Sequence, residues 1–157
     1  MDSTAICRYE ARPKRTESGG ATIPFPFEPA EVWGHRDRYH LTGTIGGIKV
    51  RPVLVQRDGR WLIELGRKSP SAAPLIDGRP VAVVLWPEGP QADQLAADIA
   101  AALAARPKAQ MAFDGLATFY RKGWLRWIDA TKRRPDVRTE RIAEMVRQVE
   151  AGRKERS

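Results

Sequence analysis

The stretch that decides the fold is Arg38–Lys68, RYHLTGTIGGIKVRPVLVQRDGRWLIELGRK. Tyr39, Leu41 and Ile45 alternate with His40, Thr42 and Thr44. A period of two turns one set toward a core and the other toward solvent, which predicts a half-buried strand. Gly46-Gly47 then offers a two-residue hairpin turn, because both residues accept positive φ. Ile48 to Gln56 is expected to return as a second strand, with Pro52 marking an edge or a bulge. Asp58-Gly59 is another hairpin signal, and RWLIELGRK (60–68) reads as the third strand. After a loop, SPSAAPLIDGRP (69–80), the β-branched run Val81–Pro87 supplies a fourth.

On the N-terminal side, residues 23–33 contain three prolines and predict an extended segment or strand edge. Residues 1–22 are charged, turn-rich and poor in apolar side chains, and are expected to be a flexible leader. On the C-terminal side the period changes. Leu95, Ile99 and Leu103 recur at spacing four, predicting a helix that Pro107 ends. Pro107 can itself open a short helix reaching Met111 and Phe113. Leu116, Tyr120, Trp124, Trp127 and Ile128 form one stripe across 114–132. Asp136 is the expected N-cap of a last helix faced by Ile142, Met145, Val146 and Val149 and stopped at Gly152.

Strands followed by helices make the expected class α+β. Sequential hairpins leave open edges unless the sheet closes, so a small antiparallel β-barrel is expected, followed by three or four helices. The organisation reads as a leader (1–22), a barrel (23–90), a helical part (91–152) and a charged tail (153–157).

A single cysteine, Cys7, excludes an internal disulfide framework and a multi-cysteine metal site. With no apolar run of signal-peptide type at the start of the sequence, and no span of roughly 20 apolar residues, a cytoplasmic setting is expected. The net charge of +8 is uneven. Residues 1–105 hold 13 Lys/Arg against 12 Asp/Glu, and residues 106–157 hold 14 against 7, so the last third carries +7. Such a surplus suits an anionic partner. The densest stretch is YRKGWLRWIDATKRR (120–134), and the cations that would meet such a partner are Arg121, Lys122, Arg126, Lys132, Arg138 and Arg141. A nucleic-acid platform needs exposed aromatics among the cations. Helical phasing instead sorts the aromatics of this stretch from its cations, which favours a packing helix with a solvated basic face.

No catalytic constellation emerges. His35 and His40, with Asp37 between them, do not make a spaced metal-ligand set, and no cofactor is expected. Cys7 falls in the expected leader, and GTIGG (43–47) lies between strands with no helix N-terminus to hold a phosphate. Within the strands Arg51 and Glu64 are the most informative polar residues. They read either as a solvated cross-strand ion pair or as an inward pair that, with His40, orients a ligand in an apolar cavity.

The segment 38–90 resembles a bacterial family of unknown function that folds as a small β-barrel. The segment 106–152, RPKAQMAFDGLATFYRKGWLRWIDATKRRPDVRTERIAEMVRQVEAG, resembles the YdeI/OmpD-associated (bacteriocin-protection) domain that often follows it. Its signature stands here as Trp127-Ile128, Ala130-x-Lys132, Arg138 and Arg141-Ile142. The chain departs from the pattern in the loop around Asp77-Gly78-Arg79-Pro80 and in TFYRKGW (118–124). The resemblance implies a barrel-plus-helices fold, a loose link with resistance or stress, and no established catalytic residue. The expected function is a non-enzymatic binding or protective module. Its small-molecule or peptide site is expected at the barrel or its junction with the helices, and nucleic-acid binding through the basic helices is the alternative.

Overall fold

The computed structural model describes residues 5–66, 68 and 79–156; most of the loop expected over 69–80 lies outside them. The chain forms two compact units. One comprises Met1–Gly34 and Tyr39–Glu88, the other His35–Arg38 and Gly89–Ser157.

The first unit holds eight strands and one short helix among the described residues: β1 (Cys7–Ala11), β2 (Lys14–Arg15), β3 (Ala21–Pro24), α1 (Pro29–Trp33), β4 (Leu41–Ile45), β5 (Ile48–Val50), β6 (Val55–Arg57), β7 (Arg60–Leu65) and β8 (Val81–Pro87). They make two four-stranded antiparallel sheets, ordered β1-β8-β4-β5 and β2-β3-β7-β6. The expected closed barrel is therefore corrected to two sheets. The reason sits in the opening stretch. Pro52 has no N–H for a ladder, so the strand expected over 48–56 breaks at 51–54, leaving β5 in one sheet and β6 in the other. The Pro52 carbonyl still accepts from Leu41 N (2.8 Å), and Leu54 N donates to Tyr39 O (3.1 Å), so the corner keeps its backbone satisfied. Both hairpin turns form as the sequence predicts, with φ of 59° and 81° at Gly46-Gly47 and 52° and 76° at Asp58-Gly59.

The leader assignment is also corrected. Residues 7–11 form β1, paired along its length with β8 from Cys7↔Leu85 to Ala11↔Val81. Cys7 and Ala11 face the core at 8% exposure each, a period-two signal too short to separate from a charged terminus. Burial pushes the Cys7 thiol above its ordinary value. Iodoacetamide should therefore alkylate Cys7 about a hundredfold more slowly in the folded protein than in urea. Equal rates, read by mass spectrometry, would place the thiol outside the core. Helix α1 was not expected either. Pro29 opens it at its first position, where a missing N–H costs nothing, and the Glu28 carboxylate accepts from Ala30 N (3.4 Å). The core of this unit joins Ile23, Leu41, Ile45, Ile63, Val83 and Leu85 to Phe25, Trp33 and Tyr39.

The second unit holds four α-helices among the described residues, α2 (Ala97–Ala104), α3 (Pro107–Asp114), α4 (Thr118–Asp129) and α5 (Pro135–Glu150), preceded by a 3-10 turn at Ala92–Gln94. Pro107 opens α3, as expected. Asp136 is not the N-cap of α5: Pro135 takes the first helical position and Arg134 the cap, leaving Asp136 in the first turn, where its charge suits the helix dipole. Gly152 (φ 90°) ends α5 through Gly152 N→Val149 O (2.9 Å) and Arg153 N→Gln148 O (3.0 Å). The core is Ile99, Leu103, Phe113, Trp124, Ile128, Met145 and Val149 with their neighbours. None of the described helices is long and apolar enough to cross a membrane.

Candidate functional site

In the first unit the structure brings Arg51 and Glu64 to one open cleft of about 720 Å³, lined among the described residues by Thr42, Lys49, Val50, Pro52, Val53 and Leu65 as well. The two charges do not pair with each other. Arg51 grips Glu88 through Nε→Oε2 (2.8 Å) and a nitrogen-to-Oε1 contact of 2.5 Å, a bidentate pair that holds its guanidinium above the ordinary value. Glu64 accepts from Arg57 at 3.0 Å. Both side chains stand in solvent, so the inward arrangement is corrected. The physical reason is phase: in β7 Ile63 is the residue turned to the core, which sends Glu64 outward. His40 does not line the cleft; its backbone bridges to Val53 at the corner between the sheets.

A second cleft in this unit, of about 590 Å³, went unread in the sequence. Pro24, Phe25, Pro26 and Phe27 form one side and Trp61 and Leu62 another, with Lys14, Glu28 and Arg60 at its margin. Tyr9, Phe25 and Phe27 meet edge to face at centroid distances of 5.6–5.9 Å, and the Tyr9 hydroxyl donates to Pro24 O (2.9 Å). Phe27 keeps 39% of its surface exposed. The signal was present in IPFPFEP (23–29), where aromatics alternate with prolines. Proline reads locally as a strand breaker, and only the fold shows that the rings share one wall.

In the second unit the six expected partner-binding cations divide. Lys122, Arg126 and Lys132 are exposed. Arg121 is not: it is fully buried, donating from Nε to Leu116 O (3.0 Å) and from a terminal nitrogen to Pro90 O (2.8 Å). Around it lie Arg36, bonded to the buried Gln91 (2.9 Å), and the Asp114 carboxyl. Burial raises the Asp114 pKa against the opposing pull of Arg36, Gln110 and Arg121. Arg138 bridges Asp98 (2.6 Å) and Asp129 (3.1 Å), joining α2, α4 and α5. Arg138 in turn holds the Asp98 carboxyl below the usual carboxylate range. Arg141 donates to Trp127 O (2.6 Å) and lays its guanidinium 4.8 Å from the indole centroid. Three of the six are thus occupied inside the unit, and the Trp127-Ile128, Arg138 and Arg141-Ile142 signature is a set of helix clamps.

The charged tail is not free. Trp124 Nε1 donates to Lys154 O (2.9 Å), Lys154 lies over Tyr120 (5.8 Å) and Arg156 over Trp127 (5.0 Å). Among the described residues no group of three or more His, Cys, Asp or Glu stands close enough to hold a metal ion.

Residues 94–152, the C-terminal part of the chain, match the family model described as Bacteriocin-protection, YdeI or OmpD-Associated. No curated protein and no solved structure matches the chain.

Proposed function

From a bacteriocin-protection, YdeI or OmpD-associated domain at residues 94–152, we propose a non-enzymatic binding module of the protective or stress type. Its first unit takes an apolar small molecule or short peptide in the Phe27–Trp61 cleft. The observation that carries this reading is the cleft itself. Its volume, about 590 Å³, suits a small ligand, and its aromatic side chains, set among Lys14, Thr22, Glu28 and Arg60, suit ring burial with oriented polar recognition. Pro24 and Pro26 fix φ along one wall, so little backbone freedom is lost on binding.

A thermal-shift screen of aryl-containing small molecules and short peptides is expected to find a stabilising ligand, worth about 2.7 kcal/mol at a hundred times its Kd. Phe27→Ala, at a half-exposed position, should keep the fold and lose the shift. Glu64→Ala should keep both, because Glu64 lines the other cleft. A shift lost in Glu64→Ala and kept in Phe27→Ala would move the site to the Arg51–Glu64 cleft. A broad panel without any shift would sink the proposal.

A further inference from the structure

Sequence phasing sorts the aromatics of 120–134 from its cations, and the structure reverses that sorting at Arg121. Arg121 belongs to the buried face, with Trp124 and Ile128. Phe119 belongs to the opposite face and is 69% exposed, the most exposed large hydrophobic residue among those described. Lys122 and Arg126 follow it at i+3 and i+7, so ring and cations share one exposed stripe. Neither cation forms an ion pair with a described residue. The condition that the sequence left unmet for a stacking platform, an exposed ring interleaved with cations, is met here.

Beside the stripe lies a pocket of about 190 Å³, lined by Phe119, Tyr120, Gly123, Trp124, Glu155 and Arg156. Phe119 and Tyr120 meet at 5.4 Å and 82°, so a planar guest can lie on one ring against the edge of the other. A Cβ on Gly123 would meet nothing within 4 Å, which leaves the pocket open at that side. Glu155 and Arg156 place an acceptor and donors at its margin, the complement of a base edge. Residues 106–157 carry a net +7 to attract a polyanion.

We propose that this face of α4 binds single-stranded nucleic acid, with a base stacked at Phe119 and phosphates held by Lys122 and Arg126. The site is separate from the cleft of the β unit, and the two stand or fall independently. A lipid surface fits less well, because the exposed stripe offers one apolar ring and not a continuous apolar band.

The test is fluorescence anisotropy with the full chain and a labelled single strand of about 12 nucleotides, across a salt series. Binding is expected at low salt and should weaken by roughly 0.7 in log affinity per phosphate contact for each tenfold rise in salt. Phe119→Ala should weaken binding about tenfold with the salt slope unchanged, and Phe119→Tyr should restore it. Lys122→Ala with Arg126→Ala should flatten the slope. Absence of binding at low salt overturns the proposal, as does undiminished binding by Phe119→Ala. Equal affinity for a duplex of the same sequence overturns it too, because a stacked pair offers no free base. So does binding to phosphatidylserine vesicles without binding to the oligonucleotide.

Discussion

Gly43→Ala is expected to cost the β unit more than about 4 kcal/mol, among the largest effects of any single methyl group added to this chain. Gly43 sits in the middle of β4, opposite Leu85 of β8 and Val50 of β5. A Cβ built there would lie 1.8 Å from Val84 O and 2.8 Å from Val84 C. Those are backbone atoms of a paired central strand, so no rotamer relieves the clash, and its φ of 154° adds strain for an L side chain. Relief requires β4 and β8 to part, which breaks the ladder that joins β1 and β5 to the same sheet. Thermal unfolding followed by near-UV circular dichroism is the check. A melting temperature within about 3 °C of the parent would show that the strands separate without loss.

Arg121→Met is expected to lower the stability of the helical unit by about 3–5 kcal/mol. The guanidinium is fully buried, and its donors satisfy the carbonyls of Leu116 and Pro90. Methionine fills similar volume but leaves those acceptors without that donor and takes a compensating charge from the Asp114 carboxyl. The pH dependence has a definite sign. Burial lifts the Asp114 pKa above its unfolded value, so the folded state holds the proton over a wider range. Stability contributed by this group is greatest below its unfolded pKa and falls as pH rises through the folded one. Without Arg121 the folded pKa climbs further and the fall extends to higher pH. Adding Asp114→Asn should remove the difference. Urea unfolding across an acid-to-neutral series measures both effects. A flat comparison between parent and Arg121→Met would show that Arg121 neither pairs with the carboxyl nor supports the carbonyls.

Much of the fold was legible because local chemistry and tertiary structure agree. Gly46-Gly47 and Asp58-Gly59 turn the chain wherever they occur, since few residue pairs accept those φ values. Pro107 and Gly152 bound helices for equally local reasons. The family signature was legible too, although its cations looked like a surface feature. Arg138 and Arg141 are clamps between helices, a role that depends on partners 9 to 40 positions away in sequence.

The candidate sites were less legible. Arg51 and Glu64 share a cleft, but their partners, Glu88 and Arg57, come from pairings that alternation cannot assign. The Phe27–Trp61 cleft needs two sheet segments 34 positions apart in the chain, and neither segment shows it alone.

By itself the sequence determined the hairpin turns, the alternation of β4, the change of period after Pro87, the helix boundaries at proline and glycine, and the match of residues 94–152 to a family model. Each depends on φ restrictions or on side-chain periodicity within a few residues. The tertiary structure alone decided that β5 and β6 part into two sheets, that Cys7 is buried, that Arg121 points inward and that Phe119 points outward. Residues 119 and 121 differ by about half a helical turn, so the phase that buries Arg121 with Trp124 and Ile128 turns Phe119 outward. The carbonyls of Leu116 and Pro90 hold Arg121 inside, because a guanidinium with two carbonyl acceptors is stable in a core whereas an exposed aromatic ring costs little.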